Sequence, residues 1–200
     1  MDIIHKPRHK WSFEVLQKSS TTGKACIIKR IPAAVNPLLR PLLKWFLKRE
    51  ACILKEIRAK IRGITPDLYW VGKDEFVMEK LTGPNLWQIH HELKKRQDIF
   101  NKLEHVIQKL HGCGFSHGEI RLGNIVFNAD DIVLVDLAMA FRQNNFFFKL
   151  IKKLDLLSLL WIKKNVFALP LTDNESNLLK RYFLIRLFFD WAIARDIIYP

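Results

Sequence analysis

Short hydrophobic runs separated by turn-forming residues dominate the first eighty positions. β-type runs at 25–31, 68–71 and 76–79 are bounded by turn clusters, and a partly alternating run at 11–17 precedes the first of them. This pattern predicts two hairpins. Residues 1–10 leave little room for an earlier strand. The beginning of the chain is therefore predicted to be a small sheet.

A long helix is predicted between the two hairpins. It begins near Pro37 or Pro41 and ends at Gly63, as expected of helix-starting prolines and a terminating glycine. Glu50 lies on the apolar stripe of this helix, where a carboxylate needs a partner. The apolar members of the stripe, spaced by three and four residues, are Leu43, Phe46, Leu47, Ile53, Leu54 and Ile57.

Helical spacing recurs in the second half of the chain. Most of 86–111 is predicted to be helical, and the capping sequence at 171–175 predicts a last helix to about Arg195. No run reaches the roughly 18 apolar residues that a spanning helix needs. Side chains of the last helix that could pack in the core or touch lipid are Tyr182, Phe183, Leu187, Phe188 and Trp191.

A third predicted hairpin carries three oxygen-bearing side chains. Two β-type runs flank the turn formers at 128–131, with Glu119 and Asn124 before the first run and Asp136 after the second. A hairpin returns the chain to its starting point, so these side chains are expected to converge. Mg²⁺ prefers such oxygen ligands, completed by substrate phosphates.

Composition narrows the class of protein. The chain has 200 residues, of which 49% are hydrophobic, enough for the core of one domain or of two small lobes. Its three cysteines are scattered without metal-ligand spacing, and no secretory signal begins the sequence. The expectation is a cytosolic, reduced protein without a zinc site.

The net charge of +13 is concentrated near the start of the sequence. Residues 1–62 hold fifteen Lys and Arg against four Asp and Glu, a net of +11. Such a field favours a polyanion, namely a nucleotide, a nucleic acid or an anionic membrane surface, although a solvated basic face is equally compatible. No nucleic-acid motif accompanies the charge, so specific nucleic-acid binding is not expected. The basic, aromatic start of the long helix either packs on the sheet or lies in a bilayer interface.

The segment 117–141 resembles the catalytic core of the protein-kinase-like superfamily. The family's catalytic loop, H-R-D-x-x-x-x-N, corresponds to His117-Gly118-Glu119 with Asn124 five residues after the acid, and 136–138 stands where D-F-G is expected. The His-Gly start and the spacing of Arg121 are most similar to small bacterial RIO-type and lipopolysaccharide-core (Kdo-type) kinases. Glutamate replaces the usual aspartate, and Leu-Ala replaces Phe-Gly.

The resemblance implies a role for each matching residue. Lys29, in a string similar to V-A-I-K, would hold the α- and β-phosphates of ATP, and Glu50 would pair with it in preference to Glu56. Arg121 would offset charge on the transferred phosphoryl group or pair with a nearby acid. The remaining roles are adenine binding by the hinge at Glu79 and Leu81, metal binding by Asn124 and Asp136, and positioning of the acceptor hydroxyl by Glu119.

The implied fold is α+β: a two-lobed protein-kinase-like domain over 1–200, with an N-lobe to about 80 and a C-lobe from about 81. The N-lobe is reduced, because Gly23 is the only glycine in the first 60 residues and no Gly-rich loop exists. The C-lobe is short and mainly helical, with Asp155 at the position that anchors the catalytic-loop backbone.

The implied function is Mg²⁺-ATP-dependent transfer of the γ-phosphoryl group to a hydroxyl. The acceptor would be a protein Ser or Thr, or a membrane-associated sugar or lipid of lipopolysaccharide type. The alternative is a catalytically impaired pseudokinase that serves as a binding or membrane-associated scaffold. A cytoplasmic location is expected, with a peripheral position at the inner face of the membrane as the second option.

Overall fold

The computed structural model describes residues 2–5, 13–19, 25–94, 96–128 and 131–181. The chain divides between Thr82 and Gly83 into two compact units. The first unit comprises residues 1–82 together with 136–138, and the second comprises 83–135 and 139–200. The predicted assembly of two lobes into one domain stays a prediction.

The first unit is built on a five-stranded antiparallel sheet. Its strands are β1 (Asp2–His5), β2 (Glu14–Ser19), β3 (Ala25–Arg30), β4 (Leu68–Val71) and β5 (Glu75–Glu79), in the order β1-β2-β3-β5-β4. Both predicted hairpins are confirmed. The expectation that residues 1–10 leave little room for a first strand was wrong, because β1 forms by pairing with β2, with Ile3 opposite Leu16.

The long helix between the hairpins is confirmed as α1 (Arg40–Lys60). Pro41 lies in its first turn, where the missing N–H has no intrahelical partner to lose. The helix packs on β4 and β5 through its buried stripe, and Glu50 lies within that stripe. The positive φ of Gly63, 81°, lets the chain turn away after the helix ends.

The second unit is mainly helical. It contains α2 (Leu86–Ile89), α3 (Arg96–Gly112), α4 (Phe148–Asn165) and α5 (Asp173–Arg181). Its short strands are β6 (Phe115–Ser116), β7 (Ile125–Asn128), β8 (Asp131–Leu134) and β9 (Phe141–Arg142). The antiparallel pairing of β7 with β8 confirms the third predicted hairpin, and β6 pairs with β9.

The predicted helical stretch at 86–111 is two helices. A capping box between Asn85 and Gln88 starts α2. The helix ends within one turn because the ring nitrogen Nδ1 of His90 lies 2.7 Å from the carbonyl oxygen of Trp87, which a continuing helix would use. Hydrophobic spacing alone does not reveal this local competition.

None of the helices within the described ranges combines the length and apolar composition needed to cross a bilayer.

The predicted capping sequence does start α5. The Glu175 N–H donates to Thr172 Oγ1 at 3.3 Å, and the Thr172 N–H donates to Glu175 Oε2 at 2.8 Å. Lys163 of α4 also donates to both Glu175 oxygens, at 2.7 and 2.8 Å. These contacts hold α5 against α4 over a leucine cluster, Leu154, Leu157, Leu160, Leu171, Leu178 and Leu179. The predicted continuation to Arg195 and its aromatic residues lie outside the described residues.

The pair of Glu175 and Lys163 predicts a pH-dependent contribution to stability. Burial raises the pKa of Glu175, but hydrogen bonds from Lys163 and Thr172 lower it and prevail. The ionised carboxylate therefore stabilises the fold above the unfolded pKa of about 4.3, and this contribution is lost as the pH falls through the lower folded pKa. We expect Glu175→Gln to lower the free energy of unfolding by about 0.5–1 kcal/mol at pH 7.

Urea denaturation at several pH values measures this difference. It should narrow as the pH falls below 4, because the wild-type carboxylate becomes neutral as well. Glu92→Gln, at an exposed position, is the matched control and should change little. A difference that stays constant with pH would show that the charge of Glu175 is not the cause.

Candidate functional site

A buried ion pair joins the sheet to α1 in the first unit. Lys29 on β3 is 7% exposed and Glu50 on α1 is 1% exposed. Lys29 Nζ donates to Glu50 Oε1 at 3.0 Å and to Oε2 at 2.8 Å. The predicted pairing of Lys29 with Glu50, and not with Glu56, is confirmed.

The same ammonium group also binds Asp136. Lys29 Nζ lies 2.9 Å from Asp136 Oδ1, so it bridges two carboxylates that are 86 residues apart in the sequence. Asp136 has φ 61°, a left-handed conformation that costs free energy for a residue other than glycine. Such conformations concentrate at functional sites, where the surrounding contacts maintain them. The direct contact between Lys29 and Asp136 was not predicted.

Burial and charge act in opposite directions on the pKa values of this cluster. Burial lowers the pKa of Lys29, but the carboxylates of Asp136 and Glu50 raise it and prevail, so the ammonium is protonated at neutral pH. Burial raises the pKa of Glu50, and the opposing effect of Lys29 does not cancel this.

Helix α1 also holds the backbone that follows Asp136. Arg49 donates to the carbonyl oxygen of Ala138 at 2.7 Å, and Glu50 accepts a hydrogen bond from the backbone of Leu137. Two consecutive residues of one helix thus hold the segment 136–138. The sequence did not predict this contact of Arg49.

In the second unit, Asp155 on α4 organises the loop before the third hairpin. Its carboxylate accepts from the N–H of His117 at 2.7 Å and of Gly118 at 2.8 Å, and it lies 2.9 Å from His111 Nε2. The anchoring role that the kinase resemblance implied for Asp155 is confirmed by these contacts. Gly118 has φ 83°, and a Cβ there would lie 2.3 Å from the carbonyl oxygen of Met139. The loop therefore needs glycine at this position.

His117 braces the loop with both ring nitrogens. Nδ1 accepts from the Glu119 N–H at 3.2 Å, which assigns the ring proton to Nε2, and Nε2 lies 3.0 Å from the carbonyl oxygen of Val135. Val135 directly precedes Asp136 in the chain. The histidine ring thus fixes the end of the hairpin relative to the loop.

The remaining polar residues of the loop lie beside one another. Asn124 is buried, and its Nδ2 donates to the carbonyl oxygen of Glu119 at 3.0 Å. The carbonyl oxygen of Asn124 accepts from Val135 N at 3.0 Å. Arg121 Nε lies 3.4 Å from Glu119 Oε1. Of the two roles considered for Arg121, the structure places it beside an acid.

The hinge residues lie at the end of β5. The Glu79 N–H donates to the carbonyl oxygen of Asp67 at 2.8 Å, and Glu79 Oε2 accepts from the Asp67 N–H at 3.2 Å. Leu81 is partly exposed. Adenine binding by Glu79 and Leu81 stays a prediction. Across the described part of the chain, no three His, Cys, Asp or Glu side chains are grouped as metal ligands.

Comparison with known proteins gives one match by sequence and several by structure. No protein-family model matches the chain. A stretch of 99 residues is 25% identical to a probable bifunctional tRNA threonylcarbamoyladenosine biosynthesis protein of Methanosphaera stadtmanae. That stretch is 48% of this chain but only 18% of the relative.

The chain is similar in structure to Rio2 kinase from Chaetomium thermophilum. Two crystal structures, one of them an ADP/Mg²⁺-phosphoaspartate complex, match with TM-scores of 0.70 and 0.69 at 12% identity. Each match covers 90% of this chain and about three-fifths of the kinase, 61% and 62%. The lipopolysaccharide-core subclass stays a prediction. The predicted fold is confirmed: the chain has a protein-kinase-like fold of mixed α and β structure.

Proposed function

We propose that this chain is a Mg²⁺-ATP-dependent phosphotransferase that transfers the γ-phosphoryl group of ATP to a hydroxyl. The acceptor is a protein Ser or Thr, or a membrane-associated sugar or lipid. The observation that supports the proposal most strongly is the bridging of Glu50 and Asp136 by the buried ammonium of Lys29. This arrangement holds a positive charge in a fixed position, as the binding of phosphate requires.

The residues present suit the two proposed cofactors. Lys29 would hold the α- and β-phosphates, and Glu50 would keep the ammonium in position. Asp136 offers a carboxylate and Asn124 an amide oxygen, the kinds of ligand that Mg²⁺ takes alongside substrate phosphates. When bound, Mg²⁺ would neutralise charge on the phosphates.

Glu119 is the proposed base that positions the acceptor hydroxyl. A positioned base is worth roughly 10² to 10⁴ in rate. The backbone of this residue is held by His117 and Asn124, so the loop fixes its position. The longer side chain of glutamate would reach farther from this backbone than aspartate does.

One observation favours the alternative of a pseudokinase scaffold. Arg121 Nε lies 3.4 Å from the carboxylate of Glu119. A guanidinium beside a carboxylate competes with an acceptor hydroxyl for the carboxylate oxygens. A chain that binds nucleotide without forming ADP would fit this alternative.

Thermal unfolding with nucleotide tests the proposal. A ligand that binds only the folded state stabilises it by about 2.7 kcal/mol at 100 times its dissociation constant. This corresponds to a rise of several degrees in Tm for a chain of this length. We expect ATP to raise the Tm of the wild type when Mg²⁺ is present, and less when the metal is chelated.

Asp136→Ala should lose the Mg²⁺-dependent part of this shift, measured against the same variant without ligand. Asp131→Asn, at an exposed position in the same hairpin, is the control and should shift as the wild type does. The absence of a shift in the wild type, or an equal shift in Asp136→Ala, would contradict the proposal. ADP formation in the presence of Mg²⁺ then separates a phosphotransferase from a pseudokinase.

A further inference from the structure

The start of α1 exposes an apolar surface on the side of the helix away from its buried stripe. Leu38 is 86% exposed, Leu42 53% and Trp45 58%. Leu42 and Trp45 are three residues apart and lie on one side of the first turns of the helix, and Leu38 is exposed in the turn that precedes it. The helix buries Leu43 and Leu47 against the rest of the unit, so its beginning is apolar on two sides. Exposed apolar side chains that lie together, unlike single ones, are typical of interaction sites.

The turn before α1 fixes this surface in place. The Asn36 side chain accepts from the Leu38 N–H at 2.9 Å, and the Asn36 carbonyl oxygen accepts from Leu39 N at 3.0 Å and Arg40 N at 3.2 Å. Leu38 is therefore held outward by its backbone. Binding through this side chain would cost little conformational entropy, since the turn that presents it is already ordered.

Positive charge borders the apolar surface. The Arg49 guanidinium lies over the ring of Trp45, 5.7 Å from its centroid, and Lys48 is exposed three residues after Trp45. Arg40 and Lys44 lie on the opposite side of the helix from Leu42, where both bind Asp74. Two cations thus stand beside the three apolar side chains. The residues up to 62 carry a net charge of +11.

We propose that Leu38, Leu42 and Trp45 form a docking surface for an anionic lipid membrane, with α1 lying along the headgroup region. Apolar side chains that include a tryptophan, bordered by Lys and Arg, are the composition of helices that bind in the bilayer interface. Anionic headgroups complement the cations, and the acyl boundary accepts the apolar side chains. This inference goes beyond phosphoryl transfer and does not depend on it.

Sedimentation with lipid vesicles tests the docking surface on the full chain. The wild type should bind vesicles of phosphatidylcholine mixed with phosphatidylglycerol, bind vesicles of phosphatidylcholine alone more weakly, and dissociate as salt is added. Leu42→Ser with Trp45→Ser should lower the partition coefficient at least about tenfold. A tenfold change corresponds to about 1.4 kcal/mol, less than the transfer free energy of one large apolar side chain.

Controls separate lipid binding from loss of the fold. Tyr69→Ser with Trp70→Ser removes a similar exposed apolar area from β4 and should leave vesicle binding unchanged. The double variant on α1 should keep the wild-type Tm. If it does not fold, Leu38→Ser removes the most exposed of the three side chains, outside the helix, and should still weaken binding measurably.

Three outcomes would overturn the docking surface. The first is no binding to vesicles of either composition. The second is binding that the α1 variants leave unchanged but that Phe146→Ser with Phe147→Ser abolishes, which would place the contact in the second unit. The third is a wild-type dimer that the α1 variants convert to a monomer, which would show that a second copy covers the surface. The Mg²⁺-ATP shift is measured separately, so either proposal can fail without the other.

Discussion

Lys29→Met is expected to lower the free energy of unfolding by about 3–5 kcal/mol at neutral pH and to abolish the Mg²⁺-ATP-dependent thermal shift. The substitution removes the only cation that contacts Glu50 among the described residues, and it leaves a carboxylate that is 1% exposed without a counter-charge. Removing one partner of a buried ion pair costs this much because the remaining charge stays desolvated. Denaturant titration measures the loss.

The pH dependence of the lost free energy of unfolding identifies the cause of the destabilisation. Without Lys29, burial and the charge of Asp136 both raise the pKa of Glu50 in the folded state, and the backbone hydrogen bond from Leu137 opposes them. A raised folded pKa makes the variant relatively more stable below the unfolded pKa of about 4.3, and that advantage fades as the pH rises through the folded pKa. The deficit against the wild type should therefore be larger at pH 8 than at pH 5.

A second substitution separates stability from function. Replacing both partners, in Lys29→Met with Glu50→Leu, removes the uncompensated charge and fills its place with apolar volume, which is often neutral for stability. We expect this double variant to recover most of the lost stability and none of the nucleotide response. Lys55→Met, at an exposed position on α1, is the matched control. A single variant as stable as the wild type, or a double variant no more stable than the single one, would contradict the argument.

The sequence predicted those parts of the fold whose cause is local. Both hairpins of the sheet follow from short β-type runs between turn formers, and α1 follows from an apolar stripe with prolines at its start. β1 was missed because its formation depends on register with β2, a contact between segments. The division of 86–111 was missed because one histidine ring competes for a backbone carbonyl.

The candidate site was predictable where one residue broke a pattern. Glu50 stood out because a lone carboxylate on an apolar stripe requires a partner, and the resemblance to kinases implied that this partner is Lys29. The contact of Lys29 with Asp136 was not predictable in this way, since it depends on a left-handed backbone at a residue that is not glycine. The contact of Arg49 with Ala138 was missed for a related reason: every residue has a backbone carbonyl, so the sequence does not show which carbonyl accepts a hydrogen bond.

Asp155→Ala is expected to lower the free energy of unfolding by about 3–5 kcal/mol and to release the loop that carries Glu119. The Asp155 carboxylate is 1% exposed and satisfies the N–H groups of His117 and Gly118 as well as the ring of His111. Buried donors that lose their acceptor cost about 1–3 kcal/mol each, and a charged acceptor strengthens the bonds that are lost.

Native-state hydrogen exchange gives this prediction a local measurement. In Asp155→Ala, the amides of His117 and Gly118 should exchange through local opening of the loop, with an opening free energy well below the free energy of global unfolding. In the wild type, the same amides should be protected. The amides of β3 report on the first unit and should follow global unfolding in both proteins. Asp173→Asn, an exposed acid in the same unit, should leave loop exchange and stability nearly unchanged. If the two loop amides stay protected in Asp155→Ala, the loop is held by His117 and its contact with Val135, and Asp155 contributes only to the packing of α4.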